Sequence, residues 1–420
     1  MATEFHWHED ETDKKDRPTG RFAPVVPPLE SPRRRWPRWV GLALLFLASI
    51  AIGVGGVVWF LSQRGLSAAR ADLEAVLRTE AQALARGDQE LYRSLQDAES
   101  AQQLTEFFER VQGDMFLRAA DQVDAEQPLR IAHLELLEDR AWAEVAFTRN
   151  GVPYRRMQFY RLSEGRWRRT LPDPRFWGEV RNRKTTHFLF IYHEREEGII
   201  NALAPWAEET YRRILSDFQA PAWNGSIIIE FRTEEAGRAI DLINFRFALP
   251  SPFLLGYRAD GRLDGLLRSS IAYDLALVGA VNRTGLFSRQ ARYRSNWLML
   301  NAVVQREVER LVPDGMTDAE AKAEQLRQAV RHGEILPLRA FWPPFDLRSA
   351  RDFNLALIQA QSLLDYAEEV AGDAAVPALL LALGQRKPWD DAILYAFNVE
   401  ADRFEAGWLA WLQARYGPTP

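Results

Sequence analysis

The sequence predicts an α+β protein held to a membrane by a single helix, and three observations carry that expectation. Residues 39–61 form a charge-free apolar run. Residues 129–171 contain short apolar runs, in places alternating in period two, separated by tight-turn signals, as in an antiparallel meander. From residue 266 onward, apolar positions recur mostly at three- and four-residue spacing, the period of amphipathic helices. A length of 420 residues accommodates two or three domains with cores of their own. The chain has no cysteine, which removes disulfides, thiolate nucleophiles and Cys-ligated zinc or iron–sulfur sites. Six histidines limit metal chemistry further, and a net charge of −5 argues against nucleic acid as a partner. No cofactor is expected.

Trp39 to Leu61 is 23 residues long, with Ser49 its one conventional polar side chain. Its helical length of about 34 Å suffices for a hydrocarbon core of about 30 Å. Its thirteen Leu, Ile, Val and Phe residues favour insertion by about 4–8 kcal/mol before glycine and depth corrections. Trp39 and Trp59 place one aromatic at each interface. Arg33, Arg34, Arg35 and Arg38 precede the span, and Arg64 and Arg70 follow it more sparsely. The positive-inside rule therefore puts the N-terminus in the cytoplasm and the rest outside the cell membrane, with the lipid bilayer as the partner of 39–61. Gly53, Gly55 and Gly56, with Ala51 four before Gly55, make a small-residue face on which two spans can meet as a homodimer. The competing readings are a buried core helix, which rarely runs this long without a polar face, and, given Ser67-Ala68-Ala69, a cleaved signal peptide. A signal h-region is shorter, about 7–15 residues, and follows a shorter leader, so the uncleaved anchor is expected. The tail, residues 1–38, holds six prolines and fifteen charged residues without apolar periodicity, and is expected to be disordered. His6 and His8 beside Glu9, Asp10 and Glu11 read as part of that solvated tail.

A small α+β module is expected over 66–180. Leu73, Val76, Leu77, Ala81 and Leu84 define one helical face, Gly87-Asp88 interrupts it, and Leu91–Leu95 and Leu104–Val111 mark two further helices. Strands follow at Leu129–Leu137, Ala141–Phe147, Val152–Leu162 and Trp167–Leu171. They are separated by Glu138-Asp139-Arg140, Asn150-Gly151 and Ser163-Glu164-Gly165. "LARGDQELYRSLQD" followed by these strands resembles the NTF2-like (SnoaL-like) superfamily, which implies helices against a curved antiparallel cone. Members of that superfamily are enzymes with a pocket in the cone, or binding and dimerisation modules. His133 is the module's only histidine, and an enzyme reading would have to use it with a convergent carboxylate. A structural or outward-facing His133 is the expectation. Phe176-Trp177 in "LPDPRFWGE" is expected to pack where two domains meet.

Residues 185–416 read as strand, helix, strand and then a helical half. Thr186–Glu194 and Ser226–Phe231 are strands around a helix at Ile199–Phe218, and Phe253–Tyr257 is a further short strand. Helices are expected over 266–281, 293–311, 318–331, 350–371, 376–384 and 390–416. This order, with "FNLALIQAQSLLDYAEEVAG", "AVPALLLALGQ" and "FEAGWLAWLQARYG", resembles the peptidase-MA-like gluzincin metallopeptidases. The resemblance implies a small N-terminal sheet and a mostly helical C-terminal half.

Such peptidases carry His-Glu-x-x-His on a helix, so that two imidazoles one turn apart hold zinc and the glutamate activates water. In "LLRSSIAYDLALVGA", Tyr273 and Leu277 stand at the histidine positions and Asp274 at the glutamate. The third ligand comes from Trp-Leu-x-Glu-Gly, where this chain has Trp297-Leu298-Met299-Leu300-Asn301, with Leu300 at the ligand position. All three zinc ligands are missing, so no metal site and no catalytic residue is expected there. His193-Glu194-Arg195-Glu196-Glu197 starts like the motif but reads as a charged helix start. His187 and His193 share a strand face and would need a carboxylate to hold a metal. His332 before Gly333 suits a helix end.

The expected function is an inactive metallopeptidase-like, membrane-anchored protein that binds or scaffolds a peptide or protein partner outside the cell. Two other readings stand beside it: signalling through the cytoplasmic tail, and a small-molecule enzyme using the NTF2-like pocket.

Overall fold

The computed structural model describes residues 66–417 except 114, 122, 125–128, 235–237, 288–296, 316–318, 342–349 and 386. The expected tail and span, 1–38 and 39–61, lie outside the described residues. Among the described residues no helix is long and apolar enough to cross a membrane.

The chain opens with α1 (66–86), α2 (Gln89–Ser94), α3 (Ala101–Gly113) and α4 (Met115–Asp121). Asp88 starts α2 by accepting the Leu91 N–H at 3.0 Å, a side-chain cap that offsets an orphan donor. The antiparallel strands β1 (Arg130–Leu137), β2 (Arg140–Arg149), β3 (Val152–Ser163) and β4 (Arg166–Arg169) follow. Their turns behave as their sequences require. Asn150 and Gly151 both take positive φ (51° and 74°), as do Glu164 and Gly165 (54° and 72°), the twist a two-residue hairpin needs. Leu73 and Leu77 of α1 pack on Ile131, Ala143, Val145 and Tyr160, so the alternating residues of β2 face the helix.

A second five-stranded sheet has the order β5-β6-β7-β9-β8 and is mixed. It comprises β5 (Val180–Lys184), β6 (Phe188–His193), β7 (Ile227–Arg232), β8 (Ala239–Asp241) and β9 (Arg246–Pro250). β6, β7 and β9 are parallel, and β5 and β8 are antiparallel edges. The crossover between β6 and β7 is α6 (Glu197–Asp217), whose Ile200, Leu203, Ala207, Tyr211 and Ile214 are all buried. The Phe253–Tyr257 segment is not the single strand expected. Pro252, behind a Ser251 cap, starts the short helix α7 (Pro252–Leu255), and only β10 (Tyr257–Arg258) is extended.

Then come α8 (Gly265–Thr284), α9 (Trp297–Leu311), α10 (Ala319–His332), α11 (Ala350–Ala371), α12 (Ala375–Gly384), α13 (Trp389–Phe397) and α14 (Ala401–Tyr416). The long helix expected over 390–416 is two, because Asn398 adopts the left-handed conformation (φ 54°) and ends α13. These helices and the second sheet share one large core that includes Phe188, Phe247, Leu275, Leu364, Leu380 and Trp408.

The two sheets are stitched together. β10 adds to β3 through Tyr257↔Arg155 and Arg258↔Tyr154, so a strand from the later half completes the first sheet. Phe176 and Trp177, in the short helix α5 (Pro174–Trp177), pack with Phe159 on one side and Leu254 on the other. The described residues lie in one compact unit.

Candidate functional site

Helix α8 is fixed at both ends and along its length. Asp264 caps it, accepting the Leu267 N–H at 3.2 Å and the Tyr154 hydroxyl at 2.6 Å, which ties the helix start to β3. Burial, then this bond to Asp264, pushes the Tyr154 phenol up to about 12. A Cβ on Gly279 would come within 2.6 Å of Ile214, so glycine is what lets α6 lie this close to α8. The register of α8 is therefore determined by packing, and with it the positions of Tyr273, Asp274 and Leu277.

Tyr273, Asp274 and Leu277 lie on α8 and Leu300 on the adjacent α9. Leu277 and Leu300 are 2% and 1% exposed and belong to the large core, so two of the three residues that the resemblance sets against zinc ligands are buried hydrocarbon. Asp274 is also buried, and Arg238 Nη2 donates to its Oδ1 at 2.6 Å. The Tyr273 hydroxyl donates to Asn301 Oδ1 at 2.9 Å. The guanidinium of Arg238 lies 4.3 Å from the ring centre of Phe116, and that ring meets Tyr273 edge-on at 5.7 Å. Phe116 comes from α4, in the first part of the chain. A cation, its counter-ion and two aromatic rings thus pack against α8 at Tyr273 and Asp274, and Arg238 and Phe116 also line a cavity of about 410 Å³, open solvent included, with Leu266, Leu267 and Ser270.

The histidines are dispersed. His187 Nδ1 is 2.6 Å from Glu208, which also accepts the Thr185 hydroxyl. His193 lies at the other end of β6, where its backbone N–H donates to Glu196 at 2.7 Å as the chain turns into α6. One strand length separates the two rings, and each has a different carboxylate neighbour. His332 ends α10 ahead of Gly333, and His6 and His8 lie outside the described residues. Among the described residues no group of three His, Asp or Glu side chains could hold a metal ion.

A second candidate lies inside the first sheet. Glu80 of α1, Tyr92 of α2, Phe108 of α3, and Arg156, Gln158 and Arg169 of the sheet line a cavity of about 530 Å³, open solvent included. Arg169 Nε is 3.7 Å from Glu80, both side chains being 6% exposed. Tyr160 donates to Gln158 at 2.6 Å. His133 is exposed on β1 and does not line this cavity, so any chemistry here would fall to arginine, glutamate and tyrosine. Sequence reasoning missed these residues although β3 carried a signal. Tyr154, Arg156, Gln158 and Tyr160 alternate with the apolar Met157 and Phe159, and the even-numbered face of a strand that packs helices is polar.

In comparisons with known proteins, no family model matches the chain and neither a curated protein nor a solved structure matches it significantly.

Proposed function

We propose that the chain is a membrane-anchored protein whose peptidase-like half works without metal chemistry, as a binding or scaffolding module outside the cell. One observation supports the reading: Arg238, paired with Asp274 and stacked on Phe116, lies against Tyr273 and Asp274, the α8 positions that the resemblance would assign to a zinc ligand and the general base. Catalytic zinc needs three protein ligands and an open position. Tyr273, Leu277 and Leu300 supply none of the imidazole or carboxylate ligands, and Arg238 adds a positive charge that would repel the ion. The anchor at 39–61 belongs to the same proposal and rests on its apolar length and flanking arginines.

The test is metal analysis of the full-length chain purified after growth with added zinc. Substoichiometric, readily dialysed zinc is expected; one tightly held zinc per chain that disappears in the Asp274→Asn variant would overturn the reading.

The cavity of the first sheet supports a second reading, a small-molecule site in the cone. Two guanidinium groups and one carboxylate among its walls, with Tyr92, Phe108 and Leu117, suit an anion on an apolar body. Titration of the full-length protein with octanoate and octanol separates the cases: binding of octanoate alone, lost in Arg169→Met, is expected.

A further inference from the structure

Another cleft lies in the helical half, away from both candidate sites. It occupies about 750 Å³, open solvent included, between the end of α6, the last turns of α9, and the α11–α12 turn. Asp217, Glu307, Glu368 and Asp373 face it together with Arg306 and Arg310. Its charges are unequally served. Arg306 is taken up by Asp365 at 2.6 Å and by both oxygens of Glu368 at 2.8 and 2.6 Å. Arg310 is shared among three carboxylates: Glu307 at 3.4 Å, Asp217 at 3.8 Å and Glu368 at 3.9 Å. Asp217 also has Arg213 at 3.8 Å, on the solvent side.

Glu307 is the residue this arrangement leaves short. Its side chain is 2% exposed, and neither its Oε1 nor Asp217 Oδ2 meets an N–H or O–H donor from another group, so the two carboxyls can share only Glu307's own proton. An unmatched carboxylate at such depth is costly. Two helices, α6 and α11, also end at this cleft, and their C-terminal carbonyls add negative potential.

We propose that this cleft binds a primary ammonium group on a short alkyl chain, with Asp217 and Glu307 as its counter-charges. An ammonium offers three N–H donors, enough to replace the proton shared by Glu307 and Asp217, serve one oxygen of each, and reach one more acceptor. Val303, Leu364 and Val376 supply an apolar wall for methylene groups. A divalent metal suits the cleft less well, because Arg306 and Arg310 share it and no group of three ligating side chains exists among the described residues. Burial holds the acidity of Glu307 near pH 7, with Arg310 opposing and Asp217 reinforcing that shift. An incoming cation must lower it, so uptake near neutral pH releases a proton from Glu307 to solvent.

The experiment is calorimetric titration of the full-length protein with n-butylammonium chloride at pH 7, in two buffers of different ionisation enthalpy, with n-butanol as the uncharged probe. Saturable binding of the amine alone is expected, with an apparent enthalpy that differs between buffers because a proton is released. Glu307→Gln should weaken binding about tenfold or more and abolish the buffer dependence. Asp217→Asn, at a side chain that is 25% exposed, should weaken binding similarly and carries the test if Glu307→Gln does not fold. No saturable heat, equal binding of n-butanol, or unchanged affinity in the folded variants would each overturn the proposal.

Discussion

Asp274 and Glu307 are both carboxylates buried to within a few per cent of complete, on neighbouring helices, and they meet opposite environments. Asp274 has a guanidinium of its own at 2.6 Å, and aromatic rings cover the pair. Glu307 shares one arginine with two other acids and faces open space. Burial alone therefore does not mark a functional carboxylate. A matched and covered charge can only hold structure together, whereas an under-matched charge beside a cleft has unused capacity for a ligand.

The largest expected effect tests the matched site. Arg238→Ala leaves Asp274 buried without its guanidinium and should cost about 3–5 kcal/mol of stability, measured by urea unfolding. A loss below about 1 kcal/mol would mean that Asp274 reaches water or another cation and that the site is not closed. Next, Phe116→Ala removes the ring that covers Arg238 and should cost about 3 kcal/mol. That loss would show α4 bracing the motif helix; a near-neutral result would show α4 to be dispensable there.

The under-matched site predicts a pH dependence of stability. Glu307 has a folded-state acidity raised from the ordinary 4.5 to about 7, chiefly by burial. The folded chain then binds more protons than the unfolded chain between those values. The contribution of Glu307 to stability is accordingly full below pH 4.5 and is lost as pH rises through about 7. Glu307→Gln should remove that slope and match or exceed the parent's stability above neutrality, as read from thermal midpoints across pH 5–8. A parallel slope in parent and variant would place the titration elsewhere. The smallest effect belongs to Tyr273→Phe, which deletes one hydrogen bond to Asn301 and should cost about 1 kcal/mol.

How much of this was legible in the sequence follows the range of the interactions. The hairpin turns at Asn150-Gly151 and Glu164-Gly165 need only local backbone preference, and both appear where expected. The helix expected over 266–281 appears as α8, and its burial became visible only in the fold. β5 was not legible, because Val-Arg-Asn-Arg-Lys has no apolar alternation and becomes a strand only because the edge of β6 offers a ladder. That Tyr273, Leu277 and Leu300 offer no imidazole or carboxylate ligand was visible in the sequence. What packs against these positions was not, since Arg238 and Phe116 reach Tyr273 and Asp274 from distant segments that carry no motif. The same holds for Glu307, which looks like any polar helix position until α6 brings Asp217 beside it.

We propose that α8 carries a buried structural ion pair, Arg238–Asp274, rather than a metal site. The most direct measurement is a double-mutant cycle of Arg238→Met and Asp274→Leu, followed by urea unfolding. Each single change should be strongly destabilising and the double change much less so, giving a coupling of about 2–3 kcal/mol between the two positions. Additive losses would contradict the claim, because they would mean that Arg238 and Asp274 serve separate purposes.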